Sequence, residues 1–280
     1  MEIDLRSMAT FGVAGNFTGH LEQAGEARDF TAVKTAEAKA PKAVFPTFIP
    51  NAKEAVPDYL KVFPFDAYRI IFPKGETKLQ IEPECAIVCD ATYEGDKLVA
   101  LKPIVFSASN DCSIRKEGAK KISEKKNWGA STKGFASNFI KIDKFATGGI
   151  LDRYRIACFL IRDGEIFTYG EDSAVSDYSY IYEKLLNWMI DKFNNQKNEG
   201  PAEDLHSYLV AAAQPSRLMI SIGATRYTDY GEHNFLQNGD KAVVVLYPSD
   251  VYSFEEIKKR ALKDNLEEDD ISVLMQDVVV

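Results

Sequence analysis

The run Leu79-Gln80-Ile81-Glu82-Pro83-Glu84-Cys85-Ala86-Ile87-Val88-Cys89 sets two acidic residues in an apolar stretch that reads as a buried strand. Side chains two apart on a strand share a face, so Glu82 and Glu84 project together. Two like charges at that range repel, and in a protein interior they require a cation, an arginine or a shared proton. Any fold that buries this strand must also build that compensation. A hard divalent metal is the simplest solution, because Mg²⁺ and Ca²⁺ prefer oxygen ligands.

A third carboxylate comes from Ser107-Ala108-Ser109-Asn110-Asp111-Cys112-Ser113-Ile114-Arg115. Asp111 follows the apolar strand Leu101 to Phe106, where a loop can carry it beside Glu82 and Glu84. Three carboxylates and waters would make an octahedral Mg²⁺ site with metal–oxygen distances of about 2.0–2.1 Å. Mn²⁺ or Ca²⁺ would also fit. In the alternative reading, Glu82 and Glu84 line a wet sheet face while Asp111 caps a turn. No Cys/His spacing favours structural zinc.

The 280 residues suffice for one large domain or a large domain with a smaller partner. We expect an N-terminal segment, 1–65, carrying His20 and a pocket cover, packed as one unit with a catalytic body, 66–280. The formal net charge of −8 argues against a general nucleic-acid or anionic-membrane binder. It is no barrier to a small anionic substrate, since a bound metal reverses the local potential. The cysteines, Cys85, Cys89, Cys112 and Cys158, form no CxxC pair, and a cytoplasmic location is the expectation. Met1 to Gly15 lacks the pattern of a signal peptide, and no apolar stretch reaches membrane-spanning length.

Strands dominate the pattern. Residues 79–90 and 99–109 pair about the turn Glu94-Gly95-Asp96, and a hairpin turns at Asp163-Gly164. Val13 to Phe17 reads as a short strand or loop, a helix starts near Thr18, and the proline-rich 31–65 is irregular with short extended pieces. The lysine-rich 115–127 reads as an exposed loop or short helix. An amphipathic helix is predicted from about Tyr178 to Phe193, and shorter ones over Leu205 to Ala213 and Phe254 to Leu262. Leu218–Ile222 and Ala242–Leu246 are further strands, and the tail ends in acidic residues. The whole reads as mixed α/β, mostly β, around one core.

Five short segments, in order along roughly residues 10–246, resemble the fumarylacetoacetate hydrolase family. Asn16-Phe17-Thr18-Gly19-His20 is similar to its N-terminal Asn-Tyr-x-x-His element, and Glu82-Pro83-Glu84-Cys85-Ala86-Ile87-Val88 to its two-glutamate strand. Asn110-Asp111-Cys112-Ser113-Ile114-Arg115 resembles Asn-Asp-Val-Ser-x-Arg, and Lys133-Gly134-Phe135-Ala136 resembles Lys-x-Phe-Asp. Phe235-Leu236-Gln237-Asn238-Gly239-Asp240 matches a Phe-Leu-x-x-Gly-Asp run.

The resemblance implies a β-roll or β-sandwich catalytic fold with peripheral helices, usually homodimeric, and a divalent metal, Mg²⁺ first, held by Glu82, Glu84 and Asp111. It implies a small oxo-acid substrate and hydrolysis of a carbon–carbon bond. Decarboxylation or tautomerisation of a related oxo acid is the nearest alternative. An inactive relative that binds a ligand or serves assembly is the other. His20 would be the base, Lys133 would stabilise substrate oxygens, and Arg115 would hold the Asp111 loop or a substrate carboxylate.

Three positions depart from the family. Gln23 stands where a glutamate often follows the histidine, and a regular helix would put Glu26 on a different face from His20. Ala136 stands where aspartate is usual. The Gly-Thr-Pro-x-Gly substrate loop falls at Ser221 to Tyr227, with Ala224 at the threonine. There Thr225 substitutes after a one-residue shift, or Arg226 supplies a carboxylate clamp.

Overall fold

In the computed structural model the structure describes residues 3–30, 35, 37–52, 56–116 and 118–280. Part of the irregular stretch expected over 31–65 lies outside the described residues. Two sheets face each other across the main core. The larger has seven strands and follows the order Ala43–Phe48, Ala9–Ala14, Arg217–Ala224, Pro83–Glu94, Lys97–Asn110, Gly134–Phe135, with Ile140–Lys141 also on Lys97–Asn110. The smaller has five, ordered Glu165–Ala174, Tyr154–Arg162, Lys241–Pro248, Ser272–Val279, Arg69–Ile71. Phe106 of the larger sheet meets Tyr154 of the smaller edge to face, with ring centroids 4.8 Å apart.

The central hairpin is the expected one: Glu94 pairs with Lys97 around a left-handed Gly95, φ 60°. Its far end determines the site. The ladder runs to Pro83 opposite Asn110 and resumes as Gln80 opposite Ser113. Between these rungs lie Ile81 and Glu82 on one strand, and Asp111 and Cys112 on the other. The Asp111 N–H donates to the Glu82 carbonyl at 3.1 Å, and the Glu82 N–H to Asn110 Oδ1 at 3.1 Å. The gap in regular pairing frees these side chains to turn inward while their backbones stay clasped.

The first strand occupies Ala9–Ala14, earlier than the expected Val13 to Phe17. Asn16 then fastens the following turn: its amide donates to the Tyr180 and Ile222 carbonyls and accepts from the Tyr180 N–H, all at 2.8–2.9 Å. The next helix is only His20–Gln23. Gly25, at φ 69°, ends it, with the Gly25 and Glu26 N–H groups returning to Glu22 and Leu21 carbonyls, a Schellman closure. This break in helical geometry overturns the angular argument that separates His20 from Glu26, because it turns Glu26 inward.

The amphipathic helix starts at Tyr182 instead of Tyr178. Tyr178 is spent on the core, its hydroxyl donating to the Gly223 carbonyl and accepting from the Cys85 N–H. Two further corrections concern strongly charged sequence. The lysine-rich 115–127 contains the helix Ile122–Lys126, in which Lys125 and Lys126 are buried instead of exposed. Beyond the acidic 267–270, Ser272–Val279 forms a strand of alternating burial that lies inside the smaller sheet, between Lys241–Pro248 and the edge strand Arg69–Ile71. Among the described residues no helix is long and apolar enough to cross a membrane.

Candidate functional site

The structure brings Glu82, Glu84 and Asp111 together at the end of the hairpin, at most 3 % exposed. One carboxylate oxygen from each lies within 4.8 Å of the others. Four basic side chains converge on this end. Arg115 Nη2 is 2.8 Å from Glu82 Oε1, and Lys133 Nζ is 2.8 Å from Asp111 Oδ1. Lys126 Nζ is 2.9 Å from Asp111 Oδ2 and also bonds Glu82 Oε2. Glu26, the fourth acid, holds Arg115 at 2.8 Å and Lys125 at 3.1 Å.

The three clustered carboxylates differ electrostatically. Burial pushes Glu82 upward, but the charges of Lys126 and Arg115 outweigh it and hold its pKa far below the usual carboxylate range. Glu84 lies well above that range, first through burial and then through the charges of Asp111 and Glu82. Among the described residues Glu84 forms no ion pair; Gly223 N–H donates to its Oε2 at 2.8 Å. That donor sits in a bulge between the Ser221 and Ala224 rungs, where Gly223 adopts φ 123°. A side chain there would also meet Asn16 Cβ at 3.0 Å, so glycine is required.

The set fits a hard divalent cation by donor type, spacing and unused directional capacity. Glu82 Oε1 and both Asp111 carboxylate oxygens are buried without a well-angled hydrogen bond among the described residues. Their ammonium and guanidinium partners are at ion-pair distance but do not satisfy the lone-pair directions. The wet-sheet-face reading does not describe these residues: all three are enclosed and surrounded by fixed charge.

His20 is buried against the Tyr227 ring, 5.2 Å between centroids, and among the described residues its Nδ1 has no hydrogen-bond partner. Burial lowers its pKa, so the imidazole is neutral at pH 7. It shares with Glu26, Glu82, Glu84, Lys126 and Ala224 the wall of a cavity of about 10 Å³, room for roughly one water. A much larger cavity, about 770 Å³, lies outside and is lined by Gln23, Glu26, Gln80, Arg115 and Lys125 among others. Glu26 borders both spaces.

Arg115 is fastened on several sides, to Gln80 Oε1 at 2.6 Å and the Tyr227 hydroxyl at 2.7 Å besides its two acids. Lys133 also donates to the Cys112 carbonyl at 2.9 Å, and burial lowers its pKa. Thr225 is fully buried, and among the described residues its Oγ1 has no partner. The structure does not bring Arg226 into the cluster: its head pairs with Glu171 at 2.6 Å at the surface, while its stem packs over Gly19. Gln23 clasps the Tyr227 backbone, accepting from its N–H at 2.9 Å and donating to its carbonyl at 3.0 Å. A glutamate has no donor for the second bond. Ala136 is buried and bonded to Ala108 only through its backbone N–H.

Sequence reasoning missed Lys126, Lys125, Tyr227 and the part played by Glu26. The one signal for the lysines was arithmetic: buried carboxylates demand cations, and 115–127 is the nearest rich supply.

The chain belongs to a family of unknown function, DUF5718, whose model matches residues 26–278. No curated protein sequence matches it. Solved structures share its fold at low identity. One is 2-keto-3-deoxy-D-arabinonate dehydratase complexed with magnesium and 2,5-dioxopentanoate, 14% identical, TM-score 0.53, covering 97% of this chain and 72% of that one. Cg1458 with inhibitor is 17% identical, TM-score 0.52, covering 97% and 76%. A putative fumarylacetoacetate hydrolase family protein from Yersinia pestis CO92 is 11% identical, TM-score 0.51, covering 97% and 93%. The fold is thus the mostly-β roll or sandwich of the fumarylacetoacetate hydrolase type.

Proposed function

We propose that this protein is a divalent-metal-dependent enzyme that hydrolyses a carbon–carbon bond of a small oxo acid. The observation that carries this reading is the buried Glu82, Glu84 and Asp111 triad with oxygen donors within 4.8 Å of one another. Further support comes from the shared fold of a dehydratase solved with magnesium and a dioxo acid.

Glu82, Glu84 and Asp111 would hold the ion, Mg²⁺ first. When bound, it would supply Lewis-acid stabilisation of enolate charge. His20 takes a proton from water at its free Nδ1, and the resulting hydroxide adds to a substrate carbonyl carbon. Collapse of that adduct breaks the adjacent carbon–carbon bond, and the departing carbon leaves as an enolate that recovers the proton from His20. Lys133 contributes positive charge toward the substrate oxygens, and Thr225 a hydroxyl with no competing partner. Arg115 holds Glu82 in place. Arg226, outside, draws in a substrate carboxylate.

A second reading, a ligand-binding relative without turnover, is favoured by one observation: the Gln23 amide is wholly engaged with the Tyr227 backbone and gives His20 no carboxylate partner from that position.

Calorimetric titration of metal-stripped protein with Mg²⁺, with and without oxalate, comes first. Saturable binding that oxalate tightens and Glu84→Gln weakens is expected; no binding in either condition removes the metal reading. Turnover of 1,3-dicarbonyl acids, abolished in His20→Gln with Mg²⁺ affinity retained, would separate enzyme from binding protein. Metal binding without turnover of any such acid favours the second reading.

A further inference from the structure

All four carboxylate oxygens of Glu82 and Asp111 face a basic group, and one side chain among the described residues, Lys126, bridges the two acids. Arg115 and Lys133 each serve one of them and are tied elsewhere, Arg115 to Gln80 and Tyr227, Lys133 to the Cys112 carbonyl. Among the described residues the Lys126 ammonium has no such second anchor; beyond the two acids it lies over the Phe45 ring, 5.4 Å from its centroid. We propose that Lys126 is a tethered cation that holds the Glu82–Asp111 pair in the metal-free protein, and that a divalent ion gains these ligands only by displacing its ammonium. This rests on the metal reading given above.

The argument is one of exclusion. A small divalent ion sits about 2.0–2.1 Å from its oxygen ligands. An ammonium 2.9 Å from Asp111 Oδ2 and bonded to Glu82 Oε2 already fills the space between those acids. Two cations on the same oxygens repel strongly in an interior that cannot screen them. Lysine suits the part, being a compact charge on a flexible stem. Lys126 is the last residue of its short helix, so its head can swing with the backbone in place. Glu26 lines the same small cavity and offers the displaced ammonium another carboxylate.

The test is calorimetric titration of the full chain with Mg²⁺ and Mn²⁺, wild type against Lys126→Gln and Lys126→Met, with thermal melts in and out of millimolar Mg²⁺. Both variants should bind Mg²⁺ about 10- to 100-fold more tightly than wild type, the usual span of coupling between competing ligands. Mg²⁺ should also raise their melting temperatures more than that of wild type. Equal affinities in all three proteins overturn the proposal and leave the metal reading standing. Absence of binding in all three overturns both. Where a variant folds poorly without metal, refolding in Mg²⁺ decides: recovery of a native melt supports displacement, and failure to recover overturns it.

Discussion

The two ends of the central hairpin share the same pair of strands and almost nothing else. At the turn, Glu94, Asp96 and Lys97 are exposed to water, with one surface contact from Asp96 to His206 Nε2 at 3.4 Å. At the other end Glu82, Glu84 and Asp111 are enclosed, and they find two different settlements. Glu82 and Asp111 are gripped by Arg115, Lys126 and Lys133; Glu84 is pushed toward its protonated form and takes one backbone N–H. The contrast teaches that an acidic residue's chemistry follows from its surroundings: residue type is the same at both ends, while burial and the neighbouring cations differ.

The sharpest way to break this contrast is Asp111→Asn, which leaves Lys126 and Lys133 buried beside an uncharged amide. Metal-free protein should lose about 3–5 kcal/mol in urea unfolding. A loss as small as a surface change would mean that the cluster is not electrostatically closed.

A second effect lies behind the helix that carries Lys126. Glu203 is buried, accepts from Ser123 Oγ at 3.0 Å, and burial pushes its pKa up to about 7. A carboxyl that holds its proton more tightly when folded stabilises at low pH and loses that contribution as pH rises from its unfolded value through its folded one. Stability should therefore fall by about 1–3 kcal/mol between roughly pH 4.5 and pH 7 from this group. Glu203→Gln should flatten that part of the profile; an unchanged slope would reassign it to other groups.

Glu84→Gln should cost the metal-free protein within about 1 kcal/mol, because an amide mimics the protonated acid and still accepts from Gly223. A large gap between this variant and Asp111→Asn, measured side by side, sharpens the difference within one end of the hairpin. At the other end Asp96→Ala should shift stability by no more than about 0.5 kcal/mol.

The acidic half of the site was legible because Glu82 and Glu84 interrupt an apolar run and Asp111 follows the strand that returns beside them; the gap in pairing at Glu82 and Asp111 was not. The basic half was not. Lys125 and Lys126 look like surface residues in a lysine-rich stretch, and they are buried only because carboxylates from distant segments wait for them. Glu26 was hidden for a different reason: one left-handed glycine redirects the chain after the helix at His20. Two hairpins, at Gly95 and at Asp163-Gly164, follow the turn signals, while most other pairings join distant segments, and Ser272–Val279 was obscured by the acidic run before it. Its pairing with Lys241–Pro248 and Arg69–Ile71 comes from partners far away in sequence.

Asn16 has a consequence for how the molecule is made. Its amide waits for the Tyr180 and Ile222 backbones, and the strand just before it pairs in parallel with Arg217–Ala224. At roughly 5–20 residues per second, about 10–40 seconds of synthesis separate these partners. Through that interval the apolar strand Ala9–Ala14 lacks the neighbour that becomes its inner flank. The nascent chain thus carries an open sheet edge until Arg217–Ala224 emerges, and the site, which draws on residues from His20 to Thr225, closes only after that strand is made.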